Sequence, residues 1–443
     1  MSSLRSFPYD SPMSSSRRTV TKRRGEQSEA RLYFAAKLAW VEGATFRRNV
    51  IVTVKDGIIE AIDDAGELSI PRVAENVCDC DILLPGFINA HTHLEFCYCK
   101  SRLPRGNVPF SHWIEAIGQL KRTVRPNEIT RCAESGVQEL LQGGCTTLID
   151  CTTRPEIFSL LATSPIRHII LWELIALSSE QAETVWQEVL ERLSLPRSPN
   201  CIALGLNPHA PYSVGPHLRK LLRRFVEENP HTPIGIHVGE SLDEKVFFET
   251  GTGPFQEFLA RHDLDPAFTE VPRCSAGEFL CRENLWEFCH YLYHLNYFTD
   301  NDLAAILPFQ TVVHCPTTHA YFSRAPFPLD TLLQRGVRVC LGSDSFATAD
   351  TLNMFEILRM AARMYPQLGG TQLLELVTTL PARGVGLADH NPPLGVIAPG
   401  AAADFAILKT AAPPSDDFRE ILLDPTTCVW ATYIGGRKVY ELR

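Results

Sequence analysis

Two kinds of apolar periodicity alternate along this chain. From Arg31 to about Ile62 the apolar positions come in short β-rich runs: Leu32-Tyr33-Phe34, Val50 to Val54 and Gly57 to Ile62, broken by Asp56-Gly57. That is the spacing and punctuation of strands and tight turns. The far end reads the same way. Gly395 to Gly400 leads into Asp404 to Leu408, and Val429 to Tyr440 holds two strands around Gly435-Gly436. Because chain ends tend to lie close together, residues 29–84 and 395–443 are expected to pair into one small β-sandwich. Between them, β-like runs alternate with helical stretches at i, i+3, i+4 spacing. The runs are Ile82–Phe87, Thr146–Asp150, His168–Leu174, Cys201–Leu206, Pro233–Val238, His290–His294, Gln310–His314 and Val337–Gly342. The helical stretches include Asn127–Leu141, Ala182–Leu193 and His217–Glu227. Strands alternating with helices argue for an α/β fold with a parallel sheet. Eight of them argue for a closed (β/α)8 barrel, a TIM barrel, over residues 85–394. Extra helix around Phe247–Leu259 and Ala276–Cys289 is expected to cover the barrel mouth.

In such barrels the C-terminal ends of the strands face one mouth. His91, His93, His209, His237, His294, His314 and Asp344 all fall at or just past such an end. The densest piece is Leu83-Leu84-Pro85-Gly86-Phe87-Ile88-Asn89-Ala90-His91-Thr92-His93. Alternate side chains of a strand point to one face, so His91 and His93 can aim at a shared metal ion.

Composition narrows the partners. The chain has 443 residues and a formal net charge of −9. An acidic balance argues against nucleic acid or an anionic membrane surface as partner. No apolar run approaches the ~20 residues of a membrane span. The fourteen cysteines are scattered, with Cys78/Cys80 and Cys97/Cys99 the tightest pairs. They read as buried or free thiols in a reducing compartment, which implies a cytoplasmic protein. Residues 1–28, rich in Ser and Arg, lack the apolar stretch of a secretory signal and are expected to form a tail outside the fold.

Zinc-type catalysis needs nitrogen and oxygen ligands and one open position for water. His91, His93, His237 and Asp344 would converge from around the rim as ligands, and a bound divalent ion would make hydroxide available at neutral pH. Glu240, three residues beyond His237 in Gly235-Ile236-His237-Val238-Gly239-Glu240, is the candidate proton shuttle. Asp344 can take the proton of the attacking water, and His294 can polarise the water or the leaving group. His209, stiffened by Pro208 and Pro211, suits substrate contact, as does Trp113 by stacking on a flat ring. His314 is the weaker substrate-side candidate. Blander readings stand beside these: strand-end histidines satisfied by backbone groups, Asp344 as a helix cap, Glu240 as a surface carboxylate opening a helix, and Trp113 as ordinary helix packing.

As an ordered set these stretches resemble the amidohydrolase superfamily, in the branch of triazine hydrolases and of adenosine-, guanine- and S-adenosylhomocysteine-type deaminases. The resemblance rests on Pro85 to His93, His209-Ala210-Pro211-Tyr212-Ser213, His237-Val238-Gly239-Glu240-Ser241, Leu341-Gly342-Ser343-Asp344-Ser345 and Gly395 to Asp404. It implies one divalent metal, zinc or else iron, on His91, His93, His237 and Asp344. It also implies ring protonation by Glu240, water polarisation by His294 and substrate contact by His209. Binuclear relatives carry a bridging lysine at the end of the fourth strand, where this chain has Asn207 and His209. Ser343 in place of threonine, Asn207 in place of serine, and Cys97-Tyr98-Cys99 depart from the branch's habit. The activity so implied is release of ammonia from the exocyclic amine of an aminopurine nucleoside or related N-heterocycle. Thr317 to Phe322 and Pro326 to Leu329 resemble a subgroup linked to aminodeoxyfutalosine. The alternatives are a related C–N or C–Cl hydrolase acting on a chlorotriazine or a cyclic amide, and an inactive scaffold. The partner expected is a small molecule, with a homo-oligomer expected by analogy.

Overall fold

The computed structural model describes residues 31–43, 45–66, 76–106, 108–261, 271–384 and 386–443. The expected tail, residues 1–28, lies outside them. The chain opens on β1 (Leu32–Val41), β2 (Thr45–Lys55), β3 (Ile58–Asp64) and β4 (Val77–Pro85). Eight further strands follow: β5 (Phe87–Thr92), β6 (Cys145–Thr152), β7 (Arg167–Leu174), β8 (Cys201–Pro208), β9 (Gly235–Val238), β10 (Tyr291–His294), β11 (Thr311–His314) and β12 (Arg338–Leu341). The chain closes on β13 (Phe405–Lys409), β14 (Cys428–Ile434) and β15 (Arg437–Glu441).

Strands β5 to β8 form one parallel sheet and β9 to β12 another. Parallel bridges at Leu206↔Ile234 and Thr92↔Asp344 join the two sheets and close the barrel. Its interior follows the two-residue period of the strands. Ile88 and Ala90, Ile149 and Cys151, Ile169 and Leu171, Tyr291 and Tyr293 share one buried cluster with Ala203, Val313 and Cys340. Their neighbours Leu148, Ile170, Leu292, Val312 and Val339 face the surrounding helices.

The two ends of the chain combine as expected, though into one curled sheet of order β15-β14-β13-β4-β1-β2-β3. An antiparallel bridge at Ile58↔Ala402 brings the β3 side back to the segment before β13. Phe34, Val50, Val52, Leu83, Phe405 and Ile407 fill the inside of the curl.

The first predicted barrel strand is displaced. Ile82 to Pro85 pair with β1 and β13 in the end sheet, and the barrel strand itself begins at Phe87. The switch falls at Gly86, whose amide donates to Asp404 O at 2.9 Å while the Phe87 amide donates to Gly144 O at 2.9 Å. A Cβ on Gly86 would sit 2.2 Å from Thr146 Oγ1, so only glycine lets the strand cross from one sheet to the other. The two extra helical regions are also broken. Gly251, at φ +70°, ends the helix Leu242–Thr250 before Pro254–Arg261 begins, and Asn284, at φ +51°, separates Ala276–Arg282 from the short turn Trp286–Phe288. Cys97 lies against Gly136 of the helix Pro126–Gln142, where a Cβ would come within 2.5 Å of its Sγ. The unusual cysteine therefore packs the core beneath the first loop.

Barrel and end sheet are tied by one buried ion pair. Arg167 donates from Nε to Asp404 Oδ2 at 2.7 Å and from Nη2 to Oδ1 at 3.1 Å, and Gly435 N donates to Oδ1 at 2.8 Å. Removing one member of such a pair leaves the other charge buried without its partner. Arg167→Met is expected to lower unfolding free energy by about 3 kcal/mol in denaturant titrations. Arg31→Met, at the exposed pair with Glu60, is expected to leave it unchanged.

Candidate active site

The polar side chains of the mouth are carried in by the ends of the strands. His91 lies on β5 and His93 just after it, both buried. His237 is on β9, His294 ends β10, and Asp344 follows β12. Ligand-type atoms of His91, His93 and His237 lie within 4.8 Å of one another, as do those of His91, His294 and Asp344. Glu173, His209 and His237 make a third such group.

The hydrogen bonds decide which atoms are available. His237 Nδ1 lies 2.9 Å from His209 O and must donate to that carbonyl, which leaves Nε2 as a lone pair. His93 Nε2 is 3.1 Å from His237 Nε2. Two nitrogens on a tetrahedral zinc at about 2.0–2.1 Å would stand about 3.3 Å apart, so this pair fits a metal. His91 Nε2 is buried with no hydrogen-bond partner. Asp344 Oδ2 accepts from Thr318 Oγ1 at 2.7 Å and from Thr348 Oγ1 at 3.1 Å, which fixes the carboxylate and leaves Oδ1. Since His237 has a single free nitrogen, the first and third groups compete for it.

Electrostatics agree with ligand chemistry. Burial, followed by the neighbouring His93, His294 and His209, holds His91 well below the ordinary histidine range. Burial and then His91, His209 and His93 do the same to His237. Neutral imidazoles keep the lone pairs that a cation needs.

His294 and Asp344 both stand at positive φ, +78° and +57°. Such backbone is costly for a residue with a side chain and turns each group out of its strand's direction. His294 Nε2 lies 3.6 Å from Glu240 Oε1. Glu240 is 6% exposed and accepts from Arg324 Nη2 at 2.7 Å. Burial alone would raise its carboxyl, but His294 and Arg324 outweigh that and hold it below its usual range. His209 is held by Ser213 Oγ at 2.9 Å from its Nδ1, with its ring 5.0 Å from that of His237.

The remaining side chains around the mouth have partners of their own. The ring of His314 stacks on Phe327 at 4.1 Å and its Nε2 meets Tyr365 Oη at 2.8 Å, so it packs behind the mouth. Trp113 stacks on Phe110 at 5.5 Å and meets Phe322 edge-on at 5.4 Å. Phe247 and Phe248 pack among Phe255 and Phe279, while Arg102 and Arg105 pair with Glu128 and Asp350.

Sequence reasoning passed over Glu173 and Arg324. Glu173 is a charge inside the apolar run His168–Leu174. Its Oε2 accepts from Asn207 Nδ2 at 3.0 Å and lies 3.9 Å from His93 Nδ1. Arg324 falls between the two segments Thr317 to Phe322 and Pro326 to Leu329, where only its charge among aromatic and proline residues marks it.

A parallel barrel with histidine and aspartate groups converging at its mouth is the architecture of a metallohydrolase. The chain belongs to the amidohydrolase family, whose model matches residues 82–439. It is 27% identical over 327 residues to the aminodeoxyfutalosine deaminase of Deinococcus radiodurans, covering 71% of this chain and 76% of that protein. It is 26% identical over 349 residues to a 5-methylthioadenosine/S-adenosylhomocysteine deaminase of Carboxydothermus hydrogenoformans, covering 74% and 72%. The fold is similar to the crystal structure of Helicobacter pylori aminofutalosine deaminase in complex with methylthio-coformycin, with TM-score 0.77 and 20% identity over 92% of this chain and all of that one. Among the described residues no helix is long and apolar enough to cross a membrane, and all fourteen cysteines are free.

Glu244, fully buried, supports the loop that carries Glu240, accepting from Glu240 N at 2.7 Å and Gly239 N at 3.1 Å. Burial, with the Glu240 charge adding to it, pushes its carboxyl up to about 8 against the pull of those amides. The folded chain thus holds a proton that the unfolded chain loses near its ordinary value of 4.5. Stability contributed by this group falls as pH rises from about 4.5 to about 8 and is level beyond. Melting midpoints of wild type are expected to decline across that window relative to Glu244→Gln, and parallel pH profiles would contradict this.

Proposed function

We propose that this chain is a metal-dependent aminohydrolase that converts an amine-bearing sp² ring carbon to a carbonyl and releases ammonia. The convergence of His91, His93, His237 and Asp344 beside the buried Glu240 carries the reading. The barrel of β5 to β12 does the chemistry, and the sheet of β1 to β4 and β13 to β15 braces it. His91 Nε2, His93 Nε2, His237 Nε2 and Asp344 Oδ1 would hold one divalent ion, most naturally zinc for a set of three imidazoles and a carboxylate. When bound, that ion supplies a water whose pKa drops from 15.7 to ~7, so that a nucleophile is available at neutral pH.

The remaining chemistry belongs to the side chains. Asp344 takes the proton that the nucleophile gives up, its carboxylate held in place by Thr318 and Thr348. Glu240 delivers a proton to the ring nitrogen next to the amine-bearing carbon, which makes that carbon electrophilic. His294, beside Glu240, hydrogen-bonds the attacking oxygen and holds it on line. The new C–O bond forms, Asp344 passes the proton it took to the amine, the C–N bond breaks with loss of ammonia, and the remaining hydroxyl proton returns to Glu240 as the carbonyl forms. His209 contacts the substrate from the fourth strand.

An aminopurine nucleoside is the substrate class. The names of the two relatives and the likeness of Thr317 to Phe322 support that choice, with aminodeoxyfutalosine the first compound to try. Free thiols support a cytoplasmic location.

The test is ammonia release from aminodeoxyfutalosine, 5-methylthioadenosine, S-adenosylhomocysteine and guanine, with metal content measured on the same sample. Turnover of an aminopurine with about one zinc per chain is expected. Chloride release from a chlorotriazine without ammonia from any amine would move the reading to a halide hydrolase. Chelation is expected to abolish turnover and added zinc to restore it. Glu240→Gln is expected to lower kcat by about 10²–10⁴-fold while zinc content stays the same.

A further inference from the structure

Arg324 has no part in the family resemblance, yet it is the group that touches the proposed proton shuttle most closely. It is 7% exposed, and Nη2 donates to Glu240 Oε1 at 2.7 Å. Its guanidinium carbon lies 4.6 Å from the centre of the Phe322 ring and 5.5 Å from that of Phe110. The two rings stand nearly perpendicular with centroids 5.5 Å apart, and a guanidinium packed into the corner they make loses little further freedom when it bonds a carboxylate. The backbone beneath it is fixed as well. Arg324 N donates to His319 O at 3.2 Å, Ser323 sits at φ +50°, and His319 Nδ1 lies 2.7 Å from Asn296 Nδ2. Among the described residues no group donates to Glu240 Oε2.

We infer that Arg324 is the positioning residue of Glu240: it occupies Oε1 and turns Oε2 towards the ring nitrogen that receives the proton. The inference rests on the aminohydrolase reading for what Glu240 does. A general acid works only within hydrogen-bond reach of its target, and a side chain free to rotate spends most of its time elsewhere. His294 Nε2 stands 3.6 Å from that same Oε1, so both neighbours lie on one oxygen of the carboxylate and the other is left free. The guanidinium, always charged, makes the shorter contact and holds Oε1 in a fixed direction. Its Nη1 is buried with no hydrogen-bond partner, so the same fork retains one donor beside the carboxylate it orients.

The experiment compares Arg324→Ala, Arg324→Lys and the double variant R324A/E240Q, each loaded with zinc. In R324A, kcat is expected to fall by about 100-fold with KM within about threefold, since the step lost is proton delivery and not substrate capture. Methylguanidinium is expected to restore activity saturably in R324A and to do nothing for E240Q. R324K, which keeps the charge but not the planar fork, is expected to fall between wild type and R324A. Wild-type kcat in R324A or R324K overturns the inference. So does a loss in R324A that methylguanidinium leaves unrelieved while zinc content is normal. Should R324A fail to fold, R324K at an unchanged melting midpoint carries the same comparison.

A second readout does not need turnover. Methylguanidinium is expected to raise the melting midpoint of R324A but not of R324A/E240Q, because the small cation refills the place facing Glu240. An inactive wild type that still shows this difference overturns the aminohydrolase reading and leaves the Arg324–Glu240 pairing intact. An active wild type without the difference overturns the positioning role.

Discussion

The structure depends on the seam where the first barrel strand meets the last. Ser343 N and Asp344 N donate to the carbonyl of His91 at 3.0 and 3.1 Å, His93 N donates to Asp344 O at 3.2 Å, and Thr92 Oγ1 donates to the same oxygen at 2.9 Å. This closes the barrel and, in the same stroke, brings the carboxylate of Asp344 against the two histidines of β5. Gly342 makes the approach possible. A Cβ there would lie 2.8 Å from His91 Cβ and 3.0 Å from its carbonyl oxygen. Asn89 adds a clamp, accepting from Ser343 N at 3.0 Å and donating to Ser343 Oγ at 2.8 Å. Ser343 therefore does what the threonine common in this branch could do, since the hydroxyl is the part that the seam uses.

Burying several histidines together is unfavourable unless they are neutral or share a cation. The chain takes the neutral route and at the same time fixes tautomers through backbone carbonyls, as at His237. At His237 the donor faces the His209 carbonyl and the lone pair faces inward, beside the buried and unpartnered Nε2 of His91. That polarity is what separates a metal-type cluster from a set of core histidines each satisfied by its own neighbour. His314 lies apart from that cluster, with its ring stacked on Phe327 and its Nε2 given over to Tyr365.

Much of this was legible beforehand because the barrel repeats one rule. Strand and helix periods differ, so eight apolar runs separated by helical stretches announce the topology, and the ends of the runs announce the mouth. The errors came where backbone partners change without a change in apolar pattern. Ile82 to Pro85 and Phe87 to Thr92 form one continuous buried stretch, and only Gly86 marks the crossing between sheets. Arg324 and Glu173 were illegible for another reason. Each acts through a partner far away in sequence, Glu240 for one and Asn207 for the other, and spacing along the chain carries no trace of such contacts. Cys97 departs from the branch's habit close to the His91/His93 pair in sequence, and the fold puts it against Gly136.

In the proposed enzyme the mouth holds a single divalent ion on ligands from the first, fifth and eighth barrel strands. Anomalous diffraction at the zinc edge from crystals of zinc-loaded protein tests it most directly. The account predicts one peak per chain within about 2.0–2.2 Å of His91 Nε2, His93 Nε2, His237 Nε2 and Asp344 Oδ1. A peak on Glu173 and His209 in place of those ligands, two peaks in the mouth, or none there at full zinc loading would contradict it.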